Sequence, residues 1–208
     1  MESYQNLNEL QLSVLSEIGN IGAGNAATSL AHILADKVMM SVPQLQIIDV
    51  SSMASILGGP ENELAGILVN MTGDVQGLLL FLLDEKFICL LVNVLMEEEI
   101  DDFDQISELS MSAIMEIGNI LAGSYISAIS TMTGLNIGLS TPQIAIDMAG
   151  AILSYPAAQF GAMGDDLLFI EEDFLSGQSS IKSHLLIMPE PKSLRLIMES
   201  LGVNGWEN

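Results

Sequence analysis

Residues 16–24 read SEIGNIGAG and residues 115–123 read MEIGNILAG. The two runs lie 99 residues apart, and the register holds beyond them. Ungapped comparison of Ser13–Leu30 with Ser112–Ile129 gives eight identities in eighteen positions, and further along Pro43 in VPQLQI matches Pro142 in TPQIAI. Self-similarity at a fixed offset marks an internal duplication, and the period decides how the rest of the chain is divided.

The later segments match in kind rather than in letter. GILVNMTGDVQGLLLFLL reads as two strands around a Thr-Gly-Asp turn, and DLLFIEEDFLSGQSSIKSHLLIMPE reads as its counterpart with a longer connection around Gly177. A helical pattern follows each hairpin, DEKFICLLVNVLME in the first half and PEPKSLRLIMESLG in the second. Each half is therefore predicted to run long helix, Pro-led strand, irregular segment, hairpin, helix. Three strands are too few to cover a long helix, so the halves are expected to share one sheet. The expected fold is α+β, a pseudo-twofold duplication with two long helices packed on a shared sheet of about six strands. All 208 residues form a single domain of two repeats, about 7–97 and 106–203. The acidic stretch Met96–Glu108 joins them as a solvated junction, and it lacks the Asp-x-Asp-x-Asp-Gly pattern of a calcium loop.

The first helix is predicted over Asn8–Ala35. At 100° per residue, Leu10, Val14, Leu15, Ile18, Ile21 and Ile33 fall in one broad sector, the expected buried stripe. Glu17 and Asn20 fall outside it, side by side at i, i+3. Around them lie Ser13, Ser16, Gly24, Ala27 and Ala31, with no Lys or Arg to pair with Glu17 along the helix. Three glycines in six residues, Gly19, Gly22 and Gly24, each cost a helix about 1 kcal/mol relative to Ala. Close packing is expected to compensate at Gly22, and close approach of a partner at Gly24. A phosphate-binding loop does not fit, because the run lacks Gly-Lys-Ser/Thr and lies within a helix.

A Glu and an Asn three residues apart are commonplace on a solvated helix. What the two copies retained gives the pair its meaning. Val14/Ala113, Ser16/Met115, Gly22/Leu121 and Ala26/Tyr125 all differ, whereas Ser13/Ser112, Glu17/Glu116, Asn20/Asn119 and Gly24/Gly123 are the same. The polar side is better preserved than the packing side, the reverse of what packing alone produces.

Composition narrows the partners. The chain carries 27 acids against 5 bases, a formal charge of −22, which argues against nucleic acid and against anionic membrane surfaces. Cys89 sits alone in the apolar run FICLLVNVLM, so it is expected in the core, without a disulfide framework and in a reducing compartment. MESYQNLNEL has neither the basic start nor the apolar segment of a signal peptide, and the uncharged stretch Ile117–Ile146 is broken by Gly, Ser, Thr, Asn and Pro. A cytoplasmic protein without membrane insertion is expected. His32 and His184 are isolated, and no Ser-His-Asp constellation is present.

The motif Ser13-x3-Glu17-x2-Asn20-x22-Pro43, repeated as Ser112-x3-Glu116-x2-Asn119-x22-Pro142, resembles the signature of the CheC/CheX/FliY chemotaxis phosphatases. The resemblance covers nearly the whole chain, and two signatures in one chain fit the CheC type better than the dimeric, single-site CheX. It implies hydrolysis of the aspartyl-phosphate of the response regulator CheY, with Glu17, Asn20, Glu116 and Asn119 as catalytic residues in two equivalent sites. By the same resemblance each Asn positions a water and each Glu meets a Lys of the regulator. Mg²⁺ belongs to the regulator, and the chain needs no cofactor of its own. Ser13, Gly24, Ser112 and Gly123 would contact the regulator. The deamidase CheD would bind near Asp147–Gly150, with Asp147 as the contact, and the protein would act as a monomer with two sites. A non-catalytic adaptor of the chemotaxis or flagellar switch complex would use the same helix face without turnover. An acidic metal-binding protein would instead bind Ca²⁺ or Mg²⁺ tightly.

Overall fold

The structure is a computed structural model, and it describes residues 7–34, 38–40, 44–160, 166–176 and 179–203. Helix α1 (Glu9–Ile33) leads to strands β1 (Val38–Met40) and β2 (Gln44–Asp49), helix α2 (Val50–Ile56), the hairpin β3 (Glu63–Gly73) and β4 (Gly77–Leu83), and helix α3 (Glu85–Met96). The same order then recurs: α4 (Glu108–Thr133), β5 (Ile137–Leu139), β6 (Gln143–Met148), α5 (Ala149–Phe160), β7 (Asp166–Ser176), β8 (Ser179–Pro189) and α6 (Pro191–Ser200).

The two long helices start in step because their caps do. Asn8 accepts a hydrogen bond from Gln11 N at 3.0 Å, and the Gln11 side chain answers at Asn8 N, 2.9 Å. At the equivalent position, Ser107 Oγ accepts from Ser110 N at 3.1 Å. Each cap satisfies donors that a helix N-terminus would otherwise leave free. The second helix ends at Gly134, whose φ of 72° suits glycine.

Eight strands form one antiparallel sheet of six rows, ordered β1-β7-β8-β4-β3-β5. Strand β2 lies in the row of β1, pairing with β7, and β6 lies in the row of β5, pairing with β3. The centre is β4 on β8, with Phe81 opposite Leu185. The halves thus exchange their edges: β2 of the first half completes the hairpin of the second, and β6 completes that of the first. The long helices follow. A Cβ on Gly19 of α1 would lie 3.3 Å from Ile170 of β7, and one on Gly118 of α4 would run into Ile67 of β3.

Alternation along the strands feeds two cores. Ile67, Val69, Leu79, Phe81, Ile170, Leu185 and Ile187 face the long helices, while Leu64, Leu78, Leu80, Leu82, Phe169 and Leu186 belong to a second cluster with Met53 of α2 and Leu153 of α5. Both faces are covered, which is why Leu78–Leu83 is an unbroken apolar run. The sheet therefore has a helix pair on its back that the expected irregular segments do not include. Helix α2 has only seven residues, three of them Ser, and α5 carries Pro156 in its interior, so neither has the local signature of a helix.

Two further expectations are corrected. Leu10 is 62 % exposed and Ile21 37 %, so neither belongs to the buried stripe of α1. The buried face is Gln11, Leu15, Ile18, Gly19, Gly22, Ala23, Ala26 and Leu30, a seam of small residues that lets α1 lie close to α4 and the sheet. The Tyr125 ring occupies the space over Gly22. The repeat-equivalent pair is Ala26 and Leu121, also buried. At both divergent positions α1 carries the small residue and α4 the large one, Gly22/Leu121 and Ala26/Tyr125, so the two helices are complementary in volume. The acidic junction is pinned rather than merely solvated: Phe103 is buried with its N–H on Glu85 Oε1 at 3.0 Å, and the Asn93 amide bonds both backbone groups of Ile100 at 2.8 and 2.9 Å.

The two glycines either side of Ala23 should respond oppositely to a methyl group. Gly22→Ala drives a Cβ into the Tyr125 ring and should destabilise by about 1–3 kcal/mol through overpacking, less the helix propensity gained. A Cβ on Gly24 would meet nothing within 4 Å, so Gly24→Ala should stabilise by up to about 1 kcal/mol. Chemical denaturation of both variants against the parent chain checks the pair of signs.

Candidate functional site

On α1, Ser13, Glu17, Asn20 and Gly24 are all exposed, and on α4 Ser112, Glu116 and Asn119 are exposed with Gly123 half-buried. The helices bury their small-residue faces and sheet-facing apolar residues, which turns these side chains to solvent. Neither Glu17 nor Glu116 forms an ion pair among the described residues. The amides of Asn20 and Asn119 likewise make no hydrogen bond within the described chain. Ser112 is used locally, its Oγ donating to Glu108 O at 3.1 Å. Each ridge thus presents one carboxylate, an acceptor only, beside one amide able to donate and accept together.

In the second half the four signature positions converge. Ser112, Glu116, Asn119 and Pro142 line one open cleft of about 400 Å³, with Met115, Leu139, Ser140 and Thr141. The sheet edge explains how Pro142 reaches the helix. Strand β5 pairs Leu139 with Met71, whereas β6 pairs Gln143 with Leu68, so three residues of the edge oppose two of β3. The extra residue makes a bulge that pushes 140–142 out of the ladder beneath the Glu/Asn ridge. Ser140 holds it there: Ser140 N donates to Asn70 O at 2.9 Å, and Asn70 N donates to Ser140 Oγ at 3.0 Å. Pro43, the counterpart of Pro142, lies outside the described residues.

Ser140 and Thr141 join the cleft without having been singled out by motif. The identity of Ser41 and Ser140, two residues before the prolines, was the available signal. Ile126, the counterpart of Ala27, is 5 % exposed and belongs to the core. A local difference between the two ridges is Met115, which lines this cleft where the first helix carries Ser16.

Asp147 stands apart from both ridges. It is exposed at the end of β6 and lines a separate cleft of about 280 Å³ with Gly66, Leu80, Ile152 and Tyr155, on the α5 side of the sheet. Cys89 is buried, and burial with nearby Glu85 and Asp102 raises its pKa, so its sulfur stays a thiol and no nucleophile. His32 is exposed, and His184 is buried and stacked on Phe169 at 5.3 Å between ring centroids. Among the described residues no three His, Cys, Asp or Glu side chains converge as a metal site. Helix α4 is long and apolar enough to span a membrane, yet 56 % of its most apolar window is buried within the fold.

Comparison with known proteins bears on this arrangement. The sequence profile of the CheC-like family matches twice, over residues 10–47 and 109–146, the two segments that run from each long helix through the Pro-led strand. The CheY-P phosphatase CheC of Bacillus subtilis is 30 % identical over 210 residues, covering 98 % of this chain and all of that protein. In structure, FliY of Thermotoga maritima superposes with a TM-score of 0.75 over 94 % of this chain and 98 % of that one, at 24 % identity. The FliM middle domain of H. pylori gives 0.70 over 93 % and 99 %, at 11 % identity, a likeness of fold.

The Ser140 clamp makes a local prediction. Ser140→Ala leaves Asn70 N–H without its acceptor and should cost about 1 kcal/mol. Amide exchange measured residue by residue should accelerate at Asn70 and at the bulge while the β4–β8 pairing stays protected.

Proposed function

This chain belongs to the CheC-like family, and we propose that it is a phosphatase for the aspartyl-phosphate of a CheY-type response regulator, acting through two equivalent sites. The observation that carries this reading is the pair of exposed ridges, each with a carboxylate and an amide at i, i+3 that are unpaired among the described residues. The relative from Bacillus subtilis carries the name of the same activity.

The substrate is a mixed anhydride and is already activated, so the chain need not supply a nucleophile. Asn20 or Asn119 enters the regulator's active site and holds a water in line with phosphorus. The amide oxygen accepts a hydrogen bond from the water and the amide N–H₂ donates towards the phosphoryl oxygens. Water oxygen bonds to phosphorus, the bond from phosphorus to the aspartyl oxygen breaks, and the carboxylate leaves as the ion. The attacking water's proton passes to solvent with the inorganic phosphate. Glu17 or Glu116 pairs with a regulator Lys and fixes the helix over the phosphate. The divalent cation belongs to the regulator's own acidic pocket. Ser13, Gly24, Ser112 and Gly123 form the smooth flank against which the regulator closes. CheD is assigned to the other side of the sheet at Asp147, and the protein works as a cytoplasmic monomer.

Asn20→Ala with Asn119→Ala should abolish phosphate release from the phosphorylated regulator, and each single variant should retain part of it. Both side chains are exposed and make no hydrogen bond among the described residues, so the melting temperature should stay within the range of a neutral surface change. Unchanged release by the double variant would remove the assigned chemistry. Binding of the phosphorylated regulator by the wild-type chain without any release would leave the adaptor reading in its place.

Glu17→Lys with Glu116→Lys replaces attraction by like-charge repulsion. At a desolvated interface the loss from truncating one partner is about 2–5 kcal/mol, and the wild-type affinity should itself weaken with salt. A titration with the beryllofluoride-activated regulator at low and at high ionic strength should show the variant weaker at both and less salt-dependent.

A further inference from the structure

Resting on the phosphatase reading, we infer that Leu10 and Leu109 are apolar docking residues for the phosphorylated regulator, one at each site. Both occupy the second position of their helices, just inside the caps Asn8 and Ser107. Both are solvent-exposed, 62 % and 65 %. A single exposed leucine means little. Here the same residue stands at equivalent places 99 residues apart and is exposed to the same degree, while Val14/Ala113 and Ser16/Met115 within the next two turns have diverged. Packing does not account for the identity, because the core-facing residue of the same turn is the fully buried Gln11 in one copy and Ser110 in the other.

The position of these leucines on the helix names their occupant. Leu10, Ser13, Glu17 and Asn20 follow at i, i+3, i+7 and i+10, which keeps them on one face, and Leu109, Ser112, Glu116 and Asn119 repeat the spacing. The leucine lies about 10 Å along the axis from its glutamate. A regulator whose phosphorylated aspartate meets the Asn and whose lysine meets the Glu therefore continues over the leucine, and presents apolar surface to it. The electrostatic contact orients the complex, and the leucine supplies a water-excluding contact at its end.

The test uses the full chain with Leu10→Ser and Leu109→Ser together, and a second variant with Met at both places. Titration with beryllofluoride-activated regulator should show affinity falling about tenfold per site in the serine variant and returning to near wild type in the methionine variant. In turnover, the serine variant should raise KM with kcat unchanged, whereas Asn20→Ala with Asn119→Ala removes kcat. Wild-type affinity and KM in the serine variant would overturn the docking role and leave the phosphatase reading standing. Unaltered release by the asparagine variant would overturn the phosphatase reading itself, separately from the titration. A fall in kcat at constant KM, or a regulator-independent dimer in sedimentation that the serine variant dissolves, would equally overturn the docking role, the latter by making a second copy of the chain the occupant.

Discussion

The structure depends on the exchange of edge strands between the two halves. Strand β2 pairs with β7 over six residues and β6 pairs with β3 over six, so neither hairpin has a complete sheet without the other half's Pro-led strand. Each long helix begins the half that donates the edge, and so it must cross onto the hairpin it completes. Both helices arrive on the same face, adjacent to each other, with Gly19 over Ile170 and Gly118 over Ile67. Their remaining surfaces have nowhere to go but outward. The exposure of Glu17, Asn20, Glu116 and Asn119 is a consequence of that topology rather than of local polarity alone.

The same arrangement separates what must stay fixed from what can drift. At the helix seam the two copies have drifted in complementary directions, since Tyr125 fills what Gly22 leaves open. A seam shared by two helices constrains the summed volume, not each residue. On the outward ridge the Glu and Asn side chains have no bonding partner among the described residues, and Ser, Glu, Asn and Gly are the same in both copies without packing requiring it. The second cleft adds a structural reason for the proline: a bulge of three residues against two, tied to Asn70 through Ser140, brings Pro142 to the ridge.

Much of this was legible in the letters. The 99-residue register located both helices, both Pro-led strands and both Glu/Asn pairs, because these features are local or periodic. The hairpin around Thr-Gly-Asp was legible too, because its turn residues are local. What was not legible has physical causes. Leu10 and Ile21 entered the expected stripe because stepping at 100° weighs hydrophobicity, whereas the seam selects small size, hence Gly22, Ala23 and Ala26. Gln11 was invisible as a core residue because its burial follows from its capping bond to Asn8. Helices α2 and α5 lack local signatures; they form where the back of the sheet must be covered. The strand exchange leaves no trace in periodicity, since the partners are far apart in sequence, 117–127 residues between β2 and β7 and 75–85 between β3 and β6.

Turnover by the intact chain tests the central claim most directly. Phosphate release from the phosphorylated regulator, followed with the chain present at a small fraction of the regulator's concentration, should run faster than the regulator's own decay and continue through many equivalents. Release at the regulator's intrinsic rate, with or without the chain, would contradict the account.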